Sequence, residues 1–359
     1  MKIKYPASLL TTLGFSHALV DAICASVTLG SVFNHNITGE SAIFIVLLYN
    51  ILAFGTQAII GFGVDRMKNA KFSSIAGIGI TASSIFFAGY SAVAAAITAG
   101  LGNALFHVGG GRAALIMAPE NASIPGVYVA PGAIGLLIGT LSAKYLDVVS
   151  GPMLIIAVLS MAALSTSAFP NENTGFSRVR VLKDPGGVAV LMLLFSITVR
   201  SFIGFSIAMP WKNDMLLLIT LTLAISVGKA AGGFFADRFG WIETGAGALI
   251  LSAPLISFQN GSPVPAIIGF MLFNMTMPVT LAAIFKLFPG YPGYSFGLTC
   301  LALITGMLPA FTQLRGFGGP YFIFTLILLS ATTLYTGIQR SEYISHPGAE
   351  ITDELKNTA

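Results

Sequence analysis

Charge is what this chain has least of. Lys and Arg number 18 and Asp and Glu 14 among 359 residues, so 9% are charged, against about 25% in a soluble domain. So few charges cannot cover a water-facing surface, which excludes an ordinary soluble globule. The net charge is only +4, and that gives no footing for a nucleic-acid partner. The two cysteines, Cys24 and Cys300, lie far apart inside apolar stretches, as buried thiols rather than a disulfide framework or a metal site. His-Glu-x-x-His, paired acidic motifs and Gly-Lys-Ser or Gly-Lys-Thr are all missing. The Gly109-Gly110-Gly111 run is therefore no phosphate cradle, and neither a cofactor nor a metal is expected.

What is present is apolar and glycine-rich. Hydrophobic residues make up 55%, with 40 Gly and 27 Phe, and the mean hydropathy is +0.84. The pattern predicts twelve spans of roughly 20 residues, the length that a ~30 Å hydrocarbon core demands: 9–33, 41–64, 72–90, 93–118, 125–148, 151–169, 187–209, 213–236, 243–259, 263–288, 293–314 and 318–339. The first could pass for a secretion signal, but it runs too long and contains His17 and Asp21, so it reads as a retained helix. The long polar connection 171–186 divides the chain. The expectation is an all-α membrane protein of twelve transmembrane helices in two pseudo-symmetric six-helix bundles, 1–170 and 187–339, with a cytoplasmic linker 171–186 and a cytoplasmic tail 340–359 lacking an apolar face.

Lys and Arg set the orientation. With the N-terminus in the cytoplasm, that side holds Lys2, Lys4, Arg66, Lys68, Lys71, Arg178, Arg180, Lys183, Arg238, Lys286, Arg340 and Lys356. The outer side holds Lys144, Lys212 and Arg315. This is a positive-inside bias, and it predicts a multi-pass protein of the inner (cytoplasmic) membrane with both termini in the cytoplasm.

The halves repeat. Gly61-Phe62-Gly63-Val64-Asp65-Arg66 follows the second span and Gly233-Phe234-Phe235-Ala236-Asp237-Arg238 the eighth, so Gly-x-x-x-Asp-Arg recurs 172 positions on. Each Gly lets helices approach closely, and each Asp can cap or pair with a neighbouring helix end. Duplication of this kind suits a transporter that rocks one half against the other. The paired turns resemble the cytoplasmic signature of the major facilitator superfamily, which implies a gate built from Gly61, Asp65, Arg66, Gly233, Asp237 and Arg238. Three further segments resemble the fosmidomycin-resistance branch of drug exporters: Ser16-His17-Ala18-Leu19-Val20-Asp21, Gly102-Asn103-Ala104-Leu105-Phe106-His107 with Arg112, and Arg200-Ser201-Phe202-Ile203-Gly204. That resemblance implies a proton-coupled exporter of small amphiphiles. Ala130-Pro131-Gly132-Ala133-Ile134-Gly135 resembles in part the Gly-rich motif of exporters, and reads equally as a Pro kink with small-residue packing.

Six ionisable residues fall deep inside spans, away from their ends: His17, Asp21, His107, Arg112, Arg200 and Lys229. Each costs at least ~2.5–3.5 kcal/mol in hydrocarbon and so belongs near a cavity, a partner or an ion path. His17 and Asp21, one helical turn apart, are expected to carry the coupling proton, the alternative being a static pair that stitches helices together. Asp21 and Arg200 fall at similar depth and are expected to face each other across a central opening. Arg200, His107, Arg112 and Asn103 are expected to contact cargo, with a static salt bridge as the alternative for Arg200. Lys229 is expected to snorkel to the interface. The function expected is a proton-coupled exporter of a small organic compound, working as a monomer by alternating access, with protons, a small-molecule cargo and the lipid bilayer as partners. The alternatives are proton-coupled import of a small organic anion and, remotely, an intramembrane lipid-modifying enzyme.

Overall fold

The computed structural model describes residues 7–170, 186–312 and 318–345, and every regular element among them is helical. In chain order these are α1 (Ala7–Asn34), α2 (Gly39–Asn50), α3 (Gln57–Met67), α4 (Ala70–Ala88), α5 (Ala92–Met117), α6 (Ser123–Ser142), α7 (Leu146–Thr166), α8 (Gly187–Ser206), α9 (Met215–Phe239), α10 (Trp241–Phe258), α11 (Pro263–Asn274), α12 (Thr276–Leu287), α13 (Pro292–Met307) and α14 (Pro320–Ser345). Eleven stretches of the described residues are long and apolar enough to cross a bilayer, and the chain is a multi-pass membrane protein. One stretch, Ser123–Thr166, has 44 residues. As a straight helix it would measure about 66 Å, twice a ~30 Å core. It breaks at Ala143–Tyr145 into α6 and α7.

Two spans are interrupted by local chemistry. α2 passes into α3 through a π-helical turn at Ile51–Gly55. α11 gives way to α12 at Met275 because Pro278 has no N–H to offer the carbonyl of Asn274 and its ring crowds that turn. The Met275 N–H bonds the carbonyl of Leu272 instead, 3.0 Å away.

Two sequence expectations shift. The boundary expected between 125–148 and 151–169 lies earlier, with α6 ending at Ser142 and α7 starting at Leu146. Lys144 marks the turn, and Asp147 sits in the first turn of α7, where the helix dipole favours a carboxylate. The tail expected from Arg340 is helical as far as Ser345, since nothing breaks the helix before His346-Pro347. The expected linker lies outside the described residues except for Gly186, whose left-handed backbone (φ 65°) opens α8.

Buried apolar side chains gather in two large clusters, one drawn mainly from Leu9 to Leu164 and the other from Ala189 to Ile338. Two glycine contacts help to join them. α3 meets α13 where Gly61 lies against the Gly293 backbone, and α6 meets α9 where Gly233 lies against Ala122 and Ser123. In α1 the apolar window is 78% buried, and Ala18 and Ala22 lie directly on Gly135 and Gly139 of α6. Small residues bring the two backbones together where larger ones would hold them apart.

A side chain at Gly61 would strike backbone and not a movable side chain, whereas one at Gly63 would enter open space. Gly61→Val should therefore wedge α3 from α13 at a cost of about 1–3 kcal/mol and lower the Tm of the purified protein. Gly63→Val should leave it unchanged, and equal Tm values for the two variants would contradict this account of the contact.

Candidate functional site

Four of the expected residues come together where α1, α5 and α6 pack. His17 and Asp21 share a face of α1, and Asn103 and His107 share a face of α5, each pair one turn apart. Asn103 donates through Nδ2 to Asp21 Oδ1 at 3.0 Å. His17 Nε2 lies 3.4 Å from Asp21 Oδ2, and His107 Nε2 lies 3.4 Å from Asp21 Oδ1. The two Nε2 atoms are 2.9 Å apart, and His107 Nδ1 is 2.9 Å from the Asn103 carbonyl. Both imidazoles are buried, while the Asp21 side chain retains 18% exposure. Asp21 is thus the least buried of the three ionisable side chains.

α6 closes the cluster with two residues that the sequence did not single out for the site. The backbone of Gly132 lies so close that a Cβ there would strike His17 and Asp21. Tyr128 sets its ring 4.8 Å from that of His17 and donates its hydroxyl to the His107 carbonyl at 3.3 Å. Gly132 occurs in the segment noted for its Pro and Gly content, but only the fold could place it on Asp21.

Among the described residues, His17, Asp21 and His107 are also the group able to hold a metal ion, their ligand atoms all lying within 4.8 Å. The geometry suits a proton better. A metal-bound imidazole normally gives its second N–H to a fixed acceptor, and His17 Nδ1 is buried with no partner among the described residues.

Arg200 is not opposite Asp21 in a pair. Its Nη1 donates to Thr276 Oγ1 at 3.2 Å and to Thr280 Oγ1 at 3.4 Å. The break at Met275 presents these two hydroxyls, which sit one turn apart on α12. The salt bridges among the described residues leave Arg200 without a carboxylate, although it is only 7% exposed. Matched depth in sequence could not reveal hydroxyls supplied by another span. Lys229 also departs from expectation. It is half-buried and within electrostatic range of both Asp21 and Arg200, facing inward instead of snorkelling to the interface. Cys300 of α13 is likewise within range of both.

Arg112 belongs to a different place from the one expected. Its Nε donates to Asp65 Oδ1 at 2.9 Å, with both side chains buried. Asp65 also accepts the backbone N–H groups of Gly293 at 2.9 Å and Tyr294 at 2.8 Å, capping α13. Asp237 does the same for α6, accepting from Ala122 N at 2.7 Å, Ser123 N at 3.0 Å and Asn121 Nδ2 at 3.2 Å. Each carboxylate meets the positive end of a helix dipole, and each follows by one turn the Gly that admits that helix. Arg66 and Arg238 stay exposed and lie over Phe62 and Phe239 on their own helices. The Gly109-Gly110-Gly111 run does not loosen α5, which is continuous from Ala92 to Met117. Its three glycines admit Ser74 of α4, Tyr128 of α6 and Phe296 of α13 in turn.

No family model and no curated relative matches the sequence. Solved structures do resemble the fold. A single-site variant of the E. coli fucose:proton symporter FucP is 14% identical, with a TM-score of 0.63. FucP in the outward conformation, described as a Major Facilitator Superfamily (MFS) transporter, is 13% identical, with a TM-score of 0.66. Each alignment covers 94% of this chain and 97% of that chain, so the likeness embraces the whole helical body and gives this chain the fold of those transporters.

Proposed function

We propose that this chain is a secondary active transporter that couples the movement of a small organic or amphiphilic compound to protons by alternating access. Reading Ser123–Thr166 as two crossings gives twelve transmembrane helices, six in 1–170 and six in 187–339, that rock about a midplane site. The Lys and Arg distribution places both termini in the cytoplasm of an inner-membrane protein, which is taken to act as a monomer. Asp65 and Asp237 then latch the cytoplasmic end, the closed end of an outward-facing state.

The observation that carries this reading is the buried His17–Asp21–Asn103–His107 cluster inside an otherwise apolar helical body. An ionisable set of that kind, deep in the membrane and least buried at Asp21, suits an ion path. The likeness of the whole chain to the fold of a proton symporter supports the same conclusion. Export rests on the three segments that resemble the fosmidomycin-resistance branch. A second reading, uptake of an organic anion, is favoured by Arg200, a buried guanidinium that among the described residues bonds hydroxyls and no carboxylate, with Lys229 nearby.

The test is a thermal-shift screen of the purified protein against amphiphilic drugs, phosphonates, sugars and carboxylates, since a binder raises Tm by mass action. Stabilising compounds are then followed in proteoliposomes under imposed pH gradients of either sign, which decides direction. A stabilising compound that crosses at the same rate whatever the gradient would sink the coupling. For an anionic hit, Arg200→Ala should weaken binding on the order of tenfold to a hundredfold, the scale of a lost charge-assisted contact. Unaltered affinity in a well-folded variant would make Arg200 a structural residue of α8 and α12.

A further inference from the structure

Hydrogen-bond partners fix where each proton of the ion cluster sits. The Asn103 carbonyl can only accept, so His107 Nδ1, 2.9 Å away, carries a hydrogen. When His107 is neutral, its Nε2 is therefore a bare lone pair. Two ring nitrogens 2.9 Å apart need one hydrogen between them, and it belongs to His17 Nε2. His17 Nδ1 is then also a lone pair. Among the described residues it is buried and unbonded, and hydrogen placed there would be a buried donor with none of them to accept it. The resting cluster thus contains two neutral rings and one ionised carboxylate.

An incoming proton has three candidate seats. On His17 Nδ1 it would find no acceptor among the described residues. Asp21 is poorly arranged to take it, because Oδ1 accepts from the Asn103 amide and a hydrogen on Oδ2 would face His17 Nε2, which already carries one. His107 Nε2 is the remaining base: its one donor, His17 Nε2–H, can turn away to Asp21, and its other nitrogen keeps a carbonyl acceptor when the ring is charged. We infer that His107 takes up the coupling proton, that Asp21 stays ionised as its counter-ion, and that His17 stays neutral and switches its hydrogen bond. This rests on the proton-coupled reading above and names the acceptor within it.

The step balances. A proton arriving past the half-buried edge of Asp21 forms an N–H bond at His107 Nε2. The His17 N–H···N His107 hydrogen bond breaks, since two N–H groups cannot face each other. His107 turns to Asp21 Oδ1 and His17 to Asp21 Oδ2, each 3.4 Å away at rest, so a ring shift of about 0.5 Å closes both to hydrogen-bond length. The cluster goes from one net negative charge to none. The polar and titratable groups facing it are Cys24 on α1, Tyr49 on α2, Asn103 on α5, Tyr128 on α6, Lys229 on α9 and Cys300 on α13. Lys229 is the cation among them, within electrostatic range of both Asp21 and His107, and it sits in the other half of the chain. Loading therefore removes a negative charge that attracts α9 toward α1 and α5. A local proton becomes a bias between the halves.

The test uses the full chain in lipid nanodiscs with ¹⁵N-labelled histidine. The sequence has four histidines, His17, His35, His107 and His346, and His35→Gln with His346→Gln leaves the two of interest. From about pH 9 to about pH 4, the range that histidine spans, His17 should remain an Nε2–H neutral ring. His107 should pass from an Nδ1–H neutral ring to imidazolium, with loss of its unprotonated-nitrogen signal. Infrared difference spectra should show no carboxylic-acid band for Asp21. The inference is overturned if His17 becomes the cation, or if both rings stay neutral while an acid band appears that Asp21→Asn removes. Proton flux in proteoliposomes is measured alongside. Coupled flux with a neutral His107 defeats this inference alone, whereas a titrating His107 with no coupled flux defeats the transporter reading.

Discussion

Asp21→Asn is expected to abolish gradient-driven cargo movement, by on the order of a hundredfold or more in rate, while sparing exchange of cargo between the two faces. Asn keeps the shape of the side chain and one oxygen to accept the Asn103 amide, so the packing of α1 against α5 and Gly132 has no reason to change. The negative charge is lost, and three features depend on it. His107 cannot hold a proton in a buried site without a counter-ion. His17 loses the acceptor to which it turns. Lys229 loses the charge that faces it across the α6–α9 contact. Rocking of the empty or cargo-loaded protein requires none of these, so exchange should persist. Gradient-driven transport and counterflow, measured on the same proteoliposomes, separate the two rates. Full gradient-driven transport by the variant would falsify the coupling role, and equal loss of both rates would indicate damage to the fold.

Much of this architecture was legible in the sequence because lipid imposes a strong rule. Buried backbone must satisfy itself, so apolar runs become helices, and the span limits follow within a few residues. The His17–Asp21 and Asn103–His107 pairs were also legible, since one-turn spacing puts both members on one face. That the two pairs meet was not. Their contact depends on α1 lying against α5, which no local pattern encodes. The same holds for Arg200, where depth along a helix suggested Asp21 while the actual partners come from a helix broken by Pro278. Arg112 shows a third kind of miss. It was read beside His107, but five residues in a helix is about 500° of rotation, enough with its long side chain to carry the guanidinium one turn on to Asp65. Lys229 illustrates the limit of the snorkelling argument, which considers distance to the interface and not which face of the helix the residue occupies.

Asp65→Asn should have the second large effect, opening the latched end. Asp65 gathers three interactions at once: the Arg112 guanidinium and the two N–H groups that begin α13. The amide would retain one oxygen for one of these donors and would turn its own NH₂ toward another. It would also take from Arg112, 4% exposed, the carboxylate to which its Nε donates. Removing one partner of a buried ion pair costs about 3–5 kcal/mol, and this loss falls on the closed state, where α3 and α13 touch. At about 1.4 kcal/mol per factor of ten, the balance should move on the order of a hundredfold or more toward states open at this end. Asp237→Asn should shift it less, because Asp237 is only half-buried and the salt bridges found among the described residues do not include it. The ranking is readable with spin labels at Met67→Cys and Gly290→Cys, both exposed positions beside the α3–α13 contact, with Cys24 and Cys300 left in place as buried thiols. The parent protein should give one short distance, Asp65→Asn a dominant long one, and Asp237→Asn a mixture. An unchanged distribution in Asp65→Asn would show that the α3–α13 contact holds without its carboxylate, and the first Gly-x-x-x-Asp turn would then act through its Gly alone.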